Sequence, residues 1–285
     1  LLLGSGGRES ALAWGLDRST VIDELVVAPG NPGTAAFAES VDIDPTSPAD
    51  VVALADKLDA GLVVIGPEAP LIAGVADALR EEGRRVFGPS SAAAQIEGSK
   101  SHAKDLMFRA GVPTADARSV DSLDDALAAL DLFGPPYVIK ADGLAAGKGV
   151  TVTSERTEAI EAIEDRLVRR IFGDAGRHIV IEQFLDGQEA SLIAFTDGLN
   201  VAVCEPAQDY KRVYDADRGP NTGGMGSYSP VPACPHGAAE RIVEEVLRPM
   251  VLELDSRGTP FVGALYAGLA LTTQGPKVIE FNARF

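Results

Sequence analysis

The sequence predicts a chain of mixed α/β and α+β character, with an N-terminal parallel-sheet βα domain over residues 1–98 and a second domain over 99–285. Three observations predict this. Short apolar runs alternate with helical patterns through the first hundred residues, and repeated βα units of that length build a parallel sheet covered on both faces. Three polar segments rich in glycine or proline (4–9, 29–33 and 66–68) fall where the strands of such a sheet would end, the place where open α/β sheets bind ligands. Beyond Gly98 the pattern changes to a glycine-rich loop between two strands, followed by longer strands near residues 190–204 and 262–281.

In chain order, Leu1-Leu2-Leu3 reads as a buried strand running into Gly4-Ser5-Gly6-Gly7-Arg8-Glu9. A helix follows with Leu12 and Leu16 on one face and Trp14 at a packing position. Strands at 25–28 and 62–65, an extended piece at 41–43, helices at 48–58 and 71–82, and a last strand at 86–87 complete the first domain. Ser99 can cap a helix to about residue 110, which Gly111-Val112-Pro113 stops. Further on come a helix at 123–130, strands at 137–140, 150–153 and 178–181, and a helix at 157–170. Strands at 190–195, 201–204, 262–271 and 277–281 follow, with a long helix at 237–257 among them.

At 285 residues and 29.7 kDa the chain has room for two domains. Twenty-five Lys and Arg against 42 Asp and Glu give a formal charge of −17, read as solvated surface. That charge argues against nucleic acid and anionic membrane as partners, so an anionic ligand needs a local pocket. Two cysteines and three scattered histidines exclude a disulfide scaffold and a Cys/His zinc site, and they suit a reducing, cytoplasmic setting. Cys204 is expected as a buried strand residue and Cys234 as a loop thiol, while His102, His178 and His236 read as surface. No apolar run has the length of a membrane span, and no basic, apolar leader opens the chain.

Four constellations carry chemistry. The loop 4–9 follows a strand and opens a helix, so its N–H groups could hold a phosphate or simply form a tight turn; Glu9 replaces the third glycine of the dinucleotide fingerprint. In Lys140-Ala-Asp-Gly-Leu-Ala-Ala-Gly-Lys148-Gly149, a glycine loop between antiparallel strands can fold over a triphosphate whose oxygens the lysines neutralise. Gly149 stands where a P-loop would place Ser or Thr. Glu280 and Asn282 share one face of a strand and offer hard oxygens to Mg²⁺ or Mn²⁺, although such a pair is also common on solvated edges. The run 179–185 leaves the core with Glu182 at its exit and Glu189 beyond, a possible adenine hinge and ribose contact or two surface acids.

Together these segments resemble the ATP-grasp superfamily and, within it, the glycinamide ribonucleotide synthetase family. The resemblance rests on GSGGRE (4–9), PGNPG (29–33), GPE (66–68), KADGLAAGKGV (140–150), IEQFLDGQEAS (181–191), QDYKR (208–212), GPNTGGMGSYSP (219–230), LYAGL (265–269) and EFNARF (280–285), in the family's order along the whole chain. It implies an ATP-grasp module over 99–285 with a mobile lid at about 113–182. The implied chemistry joins glycine to 5-phosphoribosylamine through glycyl phosphate, giving glycinamide ribonucleotide, ADP and phosphate in purine biosynthesis. It further implies ATP and Mg²⁺ (or Mn²⁺) as cofactors and glycine and 5-phosphoribosylamine as small-molecule partners; the protein is expected as a monomer in the cytoplasm.

Carried over by position, the resemblance assigns Lys100, Lys140, Gly143, Gly147, Lys148 and Gly149 to the ATP phosphates. Glu182, Phe184 and Leu185 fall at the adenine hinge, Glu189 at the ribose, and Glu280 and Asn282 at the metal. Gly6, Gly7, Glu9, Asn31 and Glu68 fall on the phosphoribosylamine side. Asp209, Lys211, Arg212, Asn221, Gly223, Gly224 (the last three in a loop at 219–226) and Arg284 lie near glycine and the transferred phosphate. Lys148, Asp209, Lys211 and Arg284 are the implied catalytic set.

Two features depart from the pattern. Many grasp enzymes carry a further acidic metal ligand on the preceding strand, which here reads Gly-Ala-Leu-Tyr-Ala-Gly-Leu. The family also continues with a Gly-Asp-Pro-Glu segment and a C-terminal domain absent from this sequence. Another ATP-grasp carboxylate–amine ligase, or a grasp domain that binds ATP for regulation without turnover, are the alternatives. A nucleotide-binding oxidoreductase would rest on the first glycine loop alone.

Overall fold

The computed structural model describes residues 1–145, 149–215, 218–234 and 237–284; the side chains of residues 211, 212, 218, 220, 221, 223 and 224 fall outside that description. Chain order in the first part is β1 (Leu2–Gly4), α1 (Gly7–Asp17), β2 (Val26–Pro29), β3 (Glu39–Ser40), α2 (Pro48–Lys57), β4 (Val63–Ile65), α3 (Glu68–Ile72), α4 (Val75–Glu81), β5 (Val86–Phe87) and α5 (Ser91–Gly98). Its five strands pair in parallel in the order β3-β2-β1-β4-β5, a doubly wound sheet. The carboxyl ends of β1, β2 and β4 therefore meet at one edge, as the alternation of strands and helices predicts.

After Ser99, whose hydroxyl accepts the His102 amide, come α6 (Lys100–Ala110), β6 (Ala117–Val120), α7 (Leu123–Phe133), β7 (Tyr137–Ala141), β8 (Val150–Thr153), α8 (Arg156–Leu167) and β9 (Ile179–Gln183). Their strands form an antiparallel sheet β6-β9-β7-β8. It packs on α7 and α8 through a small core of its own around Leu130, Ile139, Ile163 and Ile181. The rest comprises β10 (Gln188–Asp197), β11 (Val201–Val203), β12 (Gln208–Tyr214), β13 (Arg218–Tyr228), α9 (Ala238–Ile242), α10 (Arg248–Ser256), β14 (Val262–Thr272) and β15 (Gly275–Arg284). The sheet β11-β10-β14-β15 shares a core with α5, α6, α10 and one face of the N-terminal sheet, including Leu3, Ile65, Leu106, Met250, Phe261 and Phe281. That shared core makes the N-terminal domain and the last sheet one platform, above which the 113–183 sheet stands on its own apolar cluster.

Several expectations need correction. Trp14 is 52% exposed, because α1 buries Glu9 and Ala13 and one residue further turns away from the core; the Arg18 guanidinium lies 4.9 Å from its ring. The helix expected at 71–82 is two helices, parted at Gly74, whose φ of +84° no helix continues. The short third strand is 39–40 rather than 41–43. Residues 208–214 and 218–228, the latter read partly as a loop at 219–226, form the antiparallel ribbon β12–β13, since their glycines and prolines masked the strand pattern. The long helix carries a π segment (Val243–Leu247) just before Pro249, which has no N–H to continue the ladder. Cys204 lies past the end of edge strand β11 and is only half-buried; Cys234 is a half-buried loop thiol, and burial pushes its pKa up. α5 and β6 were not foreseen, and His236 lies outside the described residues.

Candidate functional site

At the edge of the parallel sheet, the loop after β1 is built around Glu9. Its Oε2 accepts the Gly6 amide at 2.5 Å, closing the first turn of α1, and the residue is only 2% exposed. Glycines make room for it. A Cβ on Gly66 would lie 2.2 Å from Glu9 Oε1, and one on Gly4 would lie 2.6 Å from its Cγ. Asn31 ties the second strand end to the first: Nδ2 donates to the Ser5 and Gly6 carbonyls, both at 2.9 Å, while Oδ1 accepts from Gly33 N at 2.7 Å and Ser10 Oγ at 3.0 Å. Gly66→Ala is expected to destabilise the fold by about 1–3 kcal/mol, since the new methyl must displace a buried, bonded carboxylate. An unchanged denaturation midpoint would mean that Glu9 swings aside freely.

A cleft of about 360 Å³ opens between that edge, α6, β7 and β15. Among the described residues its wall carries five cations, Arg8, Lys100, Lys104, Lys140 and Arg284, against three carboxylates, Glu68, Glu97 and Glu280. In a chain of charge −17 this local excess of cations favours an anionic ligand. Lys100, Ala103, Lys104 and Met107 recur at one face of α6, and Glu280, Asn282 and Arg284 alternate along β15 while Phe281 and Ala283 enter the core.

Glu182 is the electrostatic centre of the far wall. It is 4% exposed and bridges Lys140, which is 3% exposed, and Lys104, whose Nζ lies 2.5 Å from Oε2. Burial pushes the Glu182 carboxyl up, but the two ammonium groups outweigh it and hold the pKa below the usual range. Lys140 also donates to the Ile279 carbonyl at 3.1 Å, tying β7 to β15, and Lys104 reaches Thr114 Oγ1 at 2.8 Å. Burial lowers the pKa of Lys100, with Glu280 opposing the shift and Lys140 adding to it. Glu97 accepts Arg284 Nη1 at 2.8 and 2.6 Å and the Ala283 amide at 2.7 Å; burial pushes its carboxyl up to about 7 against the pull of Arg284.

The glycine loop is anchored where it is described. Asp142 accepts the Ser101 amide at 2.6 Å and its hydroxyl at 2.9 Å, while Lys100 Nζ donates to the Gly143 carbonyl at 3.2 Å. At the other root, buried Arg166 donates to the Gly149 carbonyl at 3.1 Å.

Of the residues singled out from sequence, Lys100, Lys140, Gly149, Glu68, Glu280, Asn282 and Arg284 line this one cleft. Gly6, Gly7, Glu9, Asn31, Gly143, Glu182, Phe184, Leu185, Glu189 and Asp209 do not line it. Glu9 and Asn31 serve the loops beside it, and Glu182 stands behind Lys140. Gly147 and Lys148 lie outside the described residues, as do the side chains of Lys211 and Arg212 and the positions of Asn221, Gly223 and Gly224 beyond their backbone strand. Arg8, Glu97 and Lys104 went unnoticed in the sequence. Lys104 had a signal, four residues after Lys100 and so on the same helix face.

The oxygens of Glu280 and Asn282 suit a hard divalent cation, and no third acidic, His or Cys group joins a cluster among the described residues. Opposite Glu280 in the sheet stands Gly268, the position that offers no side chain. A metal there would take its other ligands from phosphate and water.

Residues 1–97 match the family described as Phosphoribosylglycinamide synthetase, N domain, and residues 98–285 match Phosphoribosylglycinamide synthetase, ATP-grasp (A) domain. The chain is 49% identical over 288 residues to the phosphoribosylamine–glycine ligase of Yersinia pestis and 53% identical over 285 residues to that of Streptomyces coelicolor; it is covered completely in both and spans 67% and 66% of their lengths. The crystal structure of the Thermotoga maritima phosphoribosylamine–glycine ligase superposes with a TM-score of 0.84 at 33% identity, covering 100% of this chain and 68% of that one. A biotin carboxylase domain from Hydrogenobacter thermophilus, solved with MgADP, ADP and bicarbonate, shares the fold at a TM-score of 0.77 and 17% identity, over 100% of this chain and 63% of that one. The parallel-sheet domain, the antiparallel sheets around a lysine-lined cleft and these matches agree, and the chain belongs to the phosphoribosylglycinamide synthetase family.

Proposed function

We propose that this chain carries the ATP-dependent ligation of glycine to 5-phosphoribosylamine, the reaction named by its relatives. The observation that carries the reading is the single cleft on which Glu68 and Arg8, from the parallel-sheet edge, meet Lys100, Lys140, Glu280, Asn282 and Arg284. Two substrates and a nucleotide must converge for such a reaction, and here both domains supply its walls.

A carboxylate oxygen of glycine attacks the γ-phosphorus of ATP and ADP leaves, giving glycyl phosphate. The amine of phosphoribosylamine then attacks the acyl carbon, phosphate leaves with the bonding pair, and the nitrogen gives up a proton. Both steps are mainly matters of positioning and charge neutralisation, which suits a cleft lined, among the described residues, by ammonium and guanidinium groups and no His or Cys. Lys100, Lys140 and Lys148 take the ATP phosphates. The backbone of 183–185 serves the adenine edge, because the Glu182 carboxylate is already held by two lysines. Glu189 takes the ribose hydroxyls. Gly6, Gly7 and Glu68 receive phosphoribosylamine, with Glu9 and Asn31 shaping their loops. Asp209, Lys211, Arg212, the 221–224 stretch and Arg284 face glycine and the transferred phosphate. Glu280 and Asn282 hold Mg²⁺ or Mn²⁺, which when bound supplies charge neutralisation at the phosphate oxygens.

The sheet carrying residues 113–182 acts as the lid, and its separate core supports that role. Its hydrogen exchange should slow on saturation with a non-hydrolysable ATP analogue and magnesium; unchanged exchange would count against closure. The enzyme is read as a cytoplasmic monomer acting on small molecules. No helix among the described residues is long and apolar enough to cross a membrane. The test of the reaction is ADP release by the protein at its natural length. The release should require both glycine and phosphoribosylamine; release with other acids or amines at equal rate would assign a different ligase, and nucleotide binding without release would leave only a regulatory domain.

A further inference from the structure

We infer that Glu97 is a positioning residue, which grips the Arg284 guanidinium by one nitrogen so that its remaining edge is presented to the oxyanion formed in the cleft. The inference deepens the ligase reading and rests on it for the identity of that oxyanion.

All the hydrogen bonds of the Arg284 side chain among the described residues leave from Nη1. They run to Glu97 Oε1 at 2.8 Å, Glu97 Oε2 at 2.6 Å, the Ala283 carbonyl at 3.0 Å and Glu68 Oε2 at 3.4 Å. Nε and Nη2 form the other edge of the planar fork, whose two parallel N–H bonds match a carboxylate or phosphate. Arg284 itself lines the cleft together with Asn282 and Glu280, the proposed metal pair, which alternate with it along the same strand.

Glu97 is well placed to be the fixed side of this grip. It sits one residue from the end of α5, a helix packed into the shared core through Ala93, Ala94 and Ile96. Its Oε2 also accepts the Ala283 amide at 2.7 Å, so one carboxylate holds both the backbone and the side chain at the end of β15. The long, flexible arginine chain thereby loses its rotational freedom before ligand arrives, the ordering cost otherwise met on binding. Glu68 is the second acid on the same nitrogen, at the edge assigned to phosphoribosylamine. Arg284 thus spans the two substrate sides of the cleft, and Glu97 sets where along that span it rests.

The test is Glu97→Gln, with Glu97→Asp beside it, in the protein at its natural length. Gln keeps the volume and one acceptor for the Ala283 amide but removes the charge from Arg284. Nitrogen-15 NMR of the arginine side chains should show hindered rotation of the Arg284 guanidinium in the wild type and free rotation in Glu97→Gln. The glycine kcat/KM should fall by about 10–100-fold, while affinity for a non-hydrolysable ATP analogue stays within about twofold and the melting temperature holds. Asp should recover part of the loss. Free rotation in both proteins, wild-type kinetics in Glu97→Gln, or parallel losses of nucleotide affinity and melting temperature would overturn the assignment. A wild type that releases no glycine-dependent ADP would instead overturn the ligase reading, and the rotation measurement would still decide the role of Glu97.

Discussion

Glu280→Gln is expected to lower turnover by about 10²–10³-fold, roughly 3–4 kcal/mol of transition-state stabilisation, with little change in stability. The side chain stands half-buried on the cleft wall, opposite Gly268 and facing the Lys100 charge, so replacing an oxygen with an amide keeps the packing and removes one charge. Among the described residues no group of three or more acidic, His or Cys side chains gathers around it. The loss should therefore fall on the metal and the phosphates, and raising magnesium should recover part of it. Steady-state kinetics over a range of magnesium concentrations check this. Normal activity at low magnesium would remove Glu280 and Asn282 from the metal site.

The largest stability effect is expected at Glu182. Glu182→Leu leaves the ammonium groups of Lys140 and Lys104 buried without their counter-charge, and breaking a buried pair in this way costs about 3–5 kcal/mol. Because Lys104 belongs to α6 and Lys140 to β7, the damage should loosen the 113–183 sheet from the platform beneath it. Denaturant titration measures the loss. Changing Glu182, Lys140 and Lys104 together to apolar residues of similar size should recover most of the stability while abolishing nucleotide binding. The pH dependence has a definite sign. With the folded-state pKa of Glu182 lowered, its contribution is full above the unfolded-state carboxylate pKa and is lost as pH falls through the folded value. The gap between wild type and Glu182→Gln should therefore narrow on acidification below about pH 4–5. A mutant as stable as the wild type at neutral pH would show that the two lysines find other partners.

What could be read from the sequence follows from how local each signal is. The parallel sheet was legible because β1, β2, β4 and β5 are short apolar runs closed by glycine or proline, whereas β3, Glu39–Ser40, is polar and exposed and was not. Lys140, Glu280 and Asn282 were legible because a lysine at a strand end beside a glycine loop, and two oxygens at i and i+2, define a shared face without further context. Glu97 and Lys104 were not, since a charged residue on a short helix looks like solvated surface until the helix is packed. β15 gives Glu97 its partner Arg284, and β9 gives Lys104 its counter-charge, Glu182. The resemblance places Glu9 on the phosphoribosylamine side, and the structure adds that the glycines around it make room for its buried carboxylate. The β12–β13 ribbon was hidden by six glycines and prolines between residues 219 and 230, which weigh against a strand unless a partner is in place.

The central claim is that one cleft, walled by both domains, holds nucleotide and phosphoribosylamine side by side. A crystal structure of the protein with a non-hydrolysable ATP analogue, magnesium and glycinamide ribonucleotide tests it most directly. The account predicts the phosphates on Lys100 and Lys140, the metal on Glu280 and Asn282, Arg284 against the glycyl group, and the ribosyl phosphate at the edge formed by residues 4–9 and 66–68. Nucleotide phosphates seated on the 4–9 loop instead, or ribonucleotide bound away from Glu68 and Arg284, would contradict it.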